Sequence, residues 1–335
     1  MKKIFFNLLK WIAAFCLAFV ILNVLSYFYD YTPYNVECES GTTDFAFSPN
    51  FIGHNNTEGF AKISIDKNGY NNESIPENID VLCMGSSHTL AYTVNPGEGY
   101  PALLGKTLKS ELGWNVYNVG MIGHEWYYCV DNLEAALKEY APSKYIVMES
   151  FYDKFEIEKL NTLLFGNYPD AGSVVSAKMR IIKKIPFLQV VGRQLKNMLG
   201  QDSTVENDTI EKKESFEEYE KTLDKTFSQI SDIVNKYGCK YVFLYHPDIQ
   251  VNENGQAEAV EDEKYMMLNK KLCDKYDFLF VDMTEDFLKA YQEEYILPRG
   301  FVNTKIGYGH LNKSGHIMIA DKLSKVIAED EEKNR

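Results

Sequence analysis

Residues 79–89 read IDVLCMGSSHT, and this stretch decides the fold. The apolar residues 81–84 predict a buried strand, which ends at a glycine and is followed by Ser86 and Ser87. A helical pattern comes next, at residues 101–112. In parallel α/β sheets, a strand that turns in this way before a helix presents a small residue at the carboxyl edge, close to free backbone N–H groups. We therefore expect Ser87 to be displayed there as a nucleophile.

The rest of the chain alternates between strand and helix patterns. Further strands are predicted at residues 115–119, 145–148, 241–245 and 278–281, and helices at residues 131–140, 216–237 and 314–328. This alternation predicts a three-layer α/β/α sandwich of the flavodoxin-like type, with a parallel sheet of about five strands. With 335 residues and 45% hydrophobic content, the chain can form one such α/β domain, which we place at residues 77–330 with an insertion at about 154–215.

The N-terminal segment, residues 1–30, predicts a transmembrane helix ahead of that domain. Lys2, Lys3 and Lys10 accompany an apolar run that is nearly continuous over residues 11–25. About 20 apolar residues span a bilayer, and basic residues on the N-terminal side predict a cytoplasmic N-terminus with an extracytoplasmic domain. A cleaved signal peptide is the alternative. The long apolar core and the lack of an A-x-A site favour a single-pass anchor in the cell membrane.

Residues 31–76 predict a small extracytoplasmic extension that packs against the main domain. Residues 60–65 alternate like a strand and end in a turn at residues 66–69.

The insertion contains a local reversal of charge. Between Asp170 and Asp202 the chain has no acidic residue, whereas basic residues interleave with apolar ones, namely Lys178, Arg180, Lys183, Lys184, Arg193 and Lys196. A basic amphipathic stretch of this kind indicates contact with anionic lipid or with a membrane partner. A helical lid over the active site, with its cations facing solvent, is an equally good interpretation.

Net charge and cysteine spacing exclude other classes of function. The formal net charge of −13 disfavours nucleic acid as a partner, because phosphate binding requires a cationic surface. The six cysteines are widely spaced and form no CxxC or Cys/His cluster, so we expect neither a zinc site nor a disulfide framework. No metal or cofactor is implied.

A base and an oxyanion site are predicted at the same edge as Ser87. His310 lies in a loop between the last predicted strand and the last helix, from where its ring can reach Ser87. Gly123 follows the strand predicted at residues 115–119, and a glycine there lets a backbone N–H turn toward a developing oxyanion.

Three motifs in this order resemble the SGNH (GDSL-like) hydrolase superfamily. Residues 85–89 (GSSHT) resemble its first block, with Ser87 as nucleophile and the Ser87 N–H as one oxyanion donor. Residues 118–123 (NVGMIG) resemble the second block, with Gly123 as the other donor, and residues 310–316 (HLNKSGH) resemble the last block, with His310 as base. The resemblance covers about residues 79–327 and implies an SGNH-type fold with serine acyl chemistry.

The chain departs from the family pattern in its triad acid. The family carries an aspartate three residues before the histidine, where this chain has Gly307. We therefore expect either a Ser–His dyad or an acid from elsewhere, with Asp248 and Asp282 as candidates.

Two other positions near the predicted site have open roles. Tyr152 stands where the third family block has an asparagine, so a tyrosine hydroxyl would replace an amide donor. His88 adjoins the nucleophile and is expected either to contact substrate or to support the site from behind.

The leading functional hypothesis is acyl transfer through a covalent acyl-Ser87. Anchored SGNH-like proteins resemble the accessory partners of membrane-bound O-acyltransferases, which implies O-acylation, such as O-acetylation, of a cell-surface glycan. A carbohydrate deacetylase or lipid esterase, with water as acceptor, is the second hypothesis. The third is a non-catalytic SGNH-fold scaffold in cell-envelope assembly.

Overall fold

The computed structural model describes residues 2–37, 45–164, 174–198 and 215–333. The strands are β1 Asn35–Glu37, β2 Phe45–Phe47, β3 Ile52–Asn55, β4 Ala61–Ser64, β5 Val81–Met84, β6 Val116–Asn118, β7 Tyr145–Ser150, β8 Lys240–Tyr245, β9 Asp248–Val251, β10 Ala257–Val260 and β11 Leu279–Asp282. The helices are α1 Lys2–Asp30, α2 Ser87–Leu90, α3 Tyr100–Leu112, α4 Trp126–Asp131, α5 Leu133–Tyr140, α6 Ile157–Leu164, α7 Ala177–Lys183, α8 Pro186–Met198, α9 Phe216–Tyr237, α10 Glu263–Lys275, α11 Thr284–Glu294 and α12 Lys313–Lys333.

The central sheet has five parallel strands in the order β11-β8-β7-β5-β6. In β5, Val81 pairs with Val116 of β6 on one side and with Tyr145 of β7 on the other. The first strand of this sheet is therefore β5. The next strand, β6, lies on one side of it, and β7 lies on the other side, so the direction of strand addition reverses at β5. Ligands bind at the carboxyl ends of strands at such a reversal. The predicted fold class is confirmed.

Helices cover both faces of this sheet. Successive residues of β5 alternate between two hydrophobic clusters, with Leu82 and Met84 in one and Val81 and Cys83 in the other. Helices α4, α5, α9 and α10 complete the first cluster, and α3, α11 and α12 complete the second. All four residues of β5 are buried, as expected for a central parallel strand.

Several elements of the main domain lie outside the patterns that the sequence predicts. Helices α10 and α11 are amphipathic and rich in charge, and β9 and β10 form a hairpin with mostly exposed residues. The helix predicted at residues 131–140 is α5, which begins at Leu133, and a further helix, α4, precedes it and meets it at Asn132.

Helix α1 is long and apolar enough to cross a membrane. The most apolar 18-residue window of Lys3–Asp30 has a mean hydropathy of 2.3, and none of that window is buried in the protein. It is the one helix of this kind among the described residues. A signal sequence meets the same criteria of length and composition.

The described part of the insertion forms α6, α7 and α8. Helix α6 packs on α9, whereas α8 packs on α1. We call α7 and α8 together, residues 177–198, the basic hairpin. Residues 165–173 and 199–214 lie outside the described part of the chain.

Candidate active site

The turn after β5 displays Ser87 at the carboxyl edge of the sheet. The side chain of Ser86 caps α2 by accepting a hydrogen bond from the His88 N–H at 3.3 Å. Ser87 is the first residue of α2, so its own N–H has no partner within the helix. The hydroxyl and a free backbone donor therefore belong to the same residue.

Ser87, His310 and Glu58 form a hydrogen-bonded relay. Ser87 Oγ lies 2.8 Å from His310 Nε2, and His310 Nδ1 lies 2.6 Å from Glu58 Oε2. The backbone N–H of His310 also donates to Glu58 Oε1 at 2.7 Å. This is the arrangement of a serine–histidine–acid triad, in which the acid orients the imidazole and stabilises its charged form.

The ionised state of Glu58 sets the proton position on His310. Burial alone would raise the pKa of Glu58, but the hydrogen bonds from the His310 ring and backbone outweigh it and lower that pKa. An ionised carboxylate only accepts hydrogen bonds, so His310 Nδ1 carries the proton. Nε2 is then the acceptor that can take the proton of Ser87.

The acid differs from the sequence-based candidates. Asp248 Oδ1 instead lies 2.9 Å from Arg299 Nε, and Asp282 Oδ1 accepts from the Thr284 N–H at 2.9 Å in the first turn of α11. Gly307 adopts φ +86° in a turn. Both expected acids lie at or just after the ends of strands of the parallel sheet, whereas Glu58 lies between β3 and β4, the antiparallel hairpin of the extension. The prediction of Asp248 or Asp282 as the triad acid is therefore wrong. Because Glu58 contacts His310, the alternative of a Ser87–His310 dyad without an acid does not describe this site.

Asn303 holds the turn that carries Glu58, residues 56–59, which we call the Glu58 turn. Its Nδ2 donates to the carbonyls of Asn56 and Gly59 at 3.0 and 2.8 Å, and its Oδ1 accepts from the Gly59 N–H at 3.0 Å. One side chain thus ties the extension to the loop that precedes His310.

Gly309 makes room for the Glu58 carboxylate. Its φ is +84°, and a Cβ built on it would overlap Glu58 Oε1. We predict that Gly309→Ala displaces the carboxylate and lowers the esterolytic rate by about 100-fold, because small misplacements of positioned groups have effects of that order. Gly255→Ala is the matched control, since Gly255 has φ +75° with nothing within 4 Å of the added carbon. Equal rates of the two variants would contradict the assigned role of Glu58.

Gly123 lies in the turn after β6, next to the Ser87 turn. It is exposed and has φ +78°, a conformation that suits glycine. Because β5 and β6 are adjacent parallel strands, the turns that follow them share the carboxyl edge. Asn118 Nδ2 joins them by donating to the Thr89 carbonyl at 2.9 Å. The arrangement is compatible with an oxyanion site formed by the N–H groups of Ser87 and Gly123.

Glu149, at the end of β7, supports the nucleophile turn from below. Its Oε2 accepts from the N–H and the hydroxyl of Ser86 at 2.8 and 2.9 Å and from Thr89 Oγ1 at 3.1 Å. A Cβ at position 85 would overlap this carboxylate, so Gly85 is required for the close approach. Sequence reasoning missed this role, although a lone Glu at the end of an apolar strand is a signal that could have indicated it.

A buried charge network extends from Glu149 to Arg299. Glu149 Oε1 lies 3.0 Å from His246 Nε2, and Arg299 Nη2 lies 2.8 Å from His246 Nδ1. Burial alone would raise the pKa of Glu149, but the hydrogen bonds from His246 and from Ser86 lower it. The burial of Arg299 (3% exposed) is thus balanced by Asp248, whose Oδ1 lies 2.9 Å from its Nε, and by Glu149 on the far side of the His246 ring.

His88 is buried behind the triad. Arg299 Nη1 faces its Nε2 at 3.1 Å, and the Leu311 N–H faces its Nδ1 at 3.3 Å. Burial, followed by the charge of Arg299, holds the pKa of His88 well below its ordinary value, so the ring is neutral. Since His88 is only 6% exposed, its surroundings favour the supporting role over substrate contact.

Tyr152 does not aim its hydroxyl as the family asparagine would. That hydroxyl donates to Glu125 Oε1 at 3.0 Å. The neighbouring ring of Phe151 lies 5.4 Å from the ring of His88, which places this segment beside the site. The Tyr152 hydroxyl, which takes the place of the family's asparagine donor, therefore donates to Glu125.

Buried neutral histidines make the fold sensitive to acid. Burial lowers the pKa of His88, His124, His246 and His316, to about 3 for His124 and His316. Below about pH 6.5 the unfolded chain binds protons that the folded chain does not, so each such histidine removes about 1.4 kcal/mol of stability per pH unit. We predict a steep fall in the free energy of unfolding between pH 6.5 and pH 5, measured by denaturant titration in detergent. His316→Gln should make the fall shallower; an unchanged slope would contradict the assignment.

The Glu58 turn also touches the end of α1. Asn56 Nδ2 donates to the carbonyl of Phe28 at 2.6 Å, and β3 forms two bridges with residues 30–31. The triad acid therefore lies two residues from a contact with the apolar helix.

Among the residues that the structure describes, no group of three or more His, Cys, Asp or Glu side chains is arranged to hold a metal ion.

No protein-family model and no curated protein sequence matches the chain. Among solved structures it is similar to TesA (13% identity, 74% of this chain and 97% of that chain covered, TM-score 0.41). It is also similar to the acetyl xylan esterase AlAXEase (17%, 74% and 98%, TM-score 0.42) and to a Slackia heliotrinireducens protein assigned as an SGNH hydrolase (11%, 75% and 100%, TM-score 0.38).

The structural neighbours include esterases and SGNH hydrolases. At identities of 11–17% this likeness assigns no chemistry to the chain, and the chemistry follows instead from the side chains described above. The strand order of the sheet and the position of Ser87 after β5 agree with the parallel α/β arrangement expected from the motifs.

Proposed function

We propose that the chain is a serine acyl-transfer enzyme that forms a covalent acyl-Ser87 intermediate. His310 Nε2 takes the proton of Ser87, Oγ attacks an ester or thioester carbonyl, and Glu58 stabilises the imidazolium that results. The N–H groups of Ser87 and Gly123 bind the oxyanion, and His310 then gives its proton to the leaving group. The observation that carries the proposal is the continuous contact from Ser87 Oγ through His310 to Glu58.

The acyl group then passes to a hydroxyl of a cell-surface glycan, as in O-acetylation. In the second half of the reaction, His310 deprotonates that hydroxyl, which attacks the acyl-Ser87 carbonyl and releases the serine. The apolar helix α1 supports an anchored protein with an extracytoplasmic domain, and the contact of Asn56 with Phe28 supports a site close to the bilayer. A membrane-bound O-acyltransferase that delivers the acyl group is the partner that this position favours.

Hydrolysis of a carbohydrate or lipid ester is the second candidate. A missing triad acid would have favoured transfer over hydrolysis, but Glu58 supplies that acid and supports full hydrolytic activation of Ser87. The same complete relay counts against a non-catalytic scaffold, which would need neither Glu58 nor the room that Gly309 leaves for it.

Pre-steady-state kinetics distinguish these candidates. The full-length protein in lipid nanodiscs is mixed with p-nitrophenyl acetate, with and without polysaccharide acceptor. A transferase should release one equivalent of nitrophenol per site in a burst, followed by slow turnover that the acceptor accelerates. Rapid turnover indifferent to the acceptor would support the esterase, and no release above the Ser87→Ala variant would overturn the proposal.

A further inference from the structure

The basic hairpin lies against the C-terminal part of α1. The Phe187 ring packs edge-on against Phe19, with centroids 6.0 Å apart, and the Phe187 N–H donates to Asn23 Oδ1 at 3.2 Å. Further along α8, Arg193 pairs with Asp30. The hairpin is therefore fixed to the apolar helix at several levels.

These contacts set the depth of the hairpin relative to a bilayer. About 20 apolar residues span the hydrocarbon core, so a span that begins at Ile4 ends near Asn23. Asp30 lies seven residues further, or about 10 Å along the helix axis. Between those two levels lie the lipid headgroups. The hairpin touches α1 at both, and interfacial helices bury their apolar face at this depth.

Apolar side chains of the hairpin are not covered by protein. Helix α7 has no buried residue, and its Ile181 and Met179 are 67% and 44% exposed. Leu195 of α8 is 52% exposed. Such a surface, next to a helix that is itself exposed over residues 3–18, fits an apolar environment at the membrane and not bulk water.

The charge of the hairpin fits an anionic surface. Arg193 is paired with Asp30, but no described carboxylate forms an ion pair with any of its four lysines, which are Lys178, Lys183, Lys184 and Lys196. Lys183 and Lys196 lie close enough for their charges to repel one another. In a chain of net charge −13, this concentration of cations, which have no ion-pair partner among the described residues, fits an external source of negative charge.

We propose that the basic hairpin is a lipid-binding element that rests on the anionic surface of the bilayer crossed by α1. Its isoleucine and methionine side chains enter the headgroup region, and its lysines contact lipid phosphates. The proposal rests on the membrane anchoring included in the proposed function. Its consequence for that function is that α1 and the hairpin together fix the orientation of the Glu58 turn toward the membrane.

A spin label at Ile181→Cys tests this in the full-length protein. Cys16 and Cys38 are replaced by Ala, and the protein is placed in nanodiscs of phosphatidylglycerol or of phosphatidylcholine. In phosphatidylglycerol the label should be several-fold more accessible to oxygen than to a water-soluble nickel complex. A label at Val260→Cys, an exposed apolar position of β10, should have the opposite preference. If the two labels behave alike, the hairpin faces water or awaits a protein, and the proposal is overturned.

A charge reversal tests the electrostatic part. Lys178→Glu, Lys184→Glu and Lys196→Glu in combination should remove the oxygen preference of the Ile181 label in phosphatidylglycerol. Equal preferences in both lipids, unaffected by the reversal, would refute binding to anionic lipid. Phosphonate labelling of Ser87 is measured in parallel. Absence of that labelling from every protein, including the one that keeps its four lysines and its oxygen preference, would refute the proposed enzyme and leave the lipid-binding element standing.

Discussion

Glu58→Gln is expected to lower kcat/KM for ester substrates by about 10³- to 10⁴-fold, because an amide can neither enforce the Nδ1–H tautomer of His310 nor stabilise its charged form. The carboxylate makes two hydrogen bonds to His310, one to the ring and one to the backbone N–H. Glutamine keeps the shape of the side chain, so the loss should appear in the rate with little change in the melting temperature.

Two variants control this measurement of kcat/KM. Glu58→Asp keeps the charge but shortens the reach, and its rate should lie between those of the wild type and Glu58→Gln. Glu98→Gln removes a carboxylate that pairs with Lys313 and should leave the rate unchanged. A Glu58→Gln enzyme within about threefold of the wild type would refute the triad, since removing a triad acid normally costs far more.

Glu149→Gln should destabilise the fold by about 3 kcal/mol or more. An amide NH2 would replace a buried carboxylate oxygen that accepts N–H or O–H donors, and Arg299 would keep only Asp248 as a close counter-charge among the described residues. Glu149 is 1% exposed, and Arg299, which shares His246 with it, is 3% exposed. The free energy of unfolding, obtained by denaturant titration in detergent, is the quantity to compare. Glu134→Gln is the control. It breaks an exposed pair with Lys236 and should leave the free energy of unfolding unchanged.

A double variant separates charge from packing in this network. Arg299→Met combined with Glu149→Gln should lose less stability than the sum of the single variants, because neither charge then remains buried alone. Additive losses would mean that the two groups are not electrostatically coupled through His246.

Much of the fold could be predicted from the sequence because the signals were local. The apolar run at residues 81–84 and the later strands each predicted one strand of a parallel sheet, and parallel strands align their carboxyl ends. Ser87 and His310 were expected to meet there, and the structure brings them to 2.8 Å. Their separation in sequence did not prevent this prediction, because both residues were expected after strands that end at the same edge of the sheet.

Glu58 could not be predicted because it reaches the site from outside the sheet. Its position depends on the hydrogen bonds of Asn303 to the Glu58 turn, and on the space left at Gly309, where any side chain would overlap the carboxylate. Neither contact has a periodic signal in the sequence. The role of Glu149 could not be predicted for a related reason. It depends on Ser86, Thr89 and His246, which reach the end of β7 from other parts of the chain.

Covalent labelling with a fluorophosphonate, located by peptide mass spectrometry, tests the central claim most directly. The full-length protein is predicted to carry one adduct on Ser87, with none in Ser87→Ala and much slower labelling in Glu58→Gln. The claim would be contradicted by a folded wild-type protein that acquires no adduct, or by an adduct that persists in Ser87→Ala.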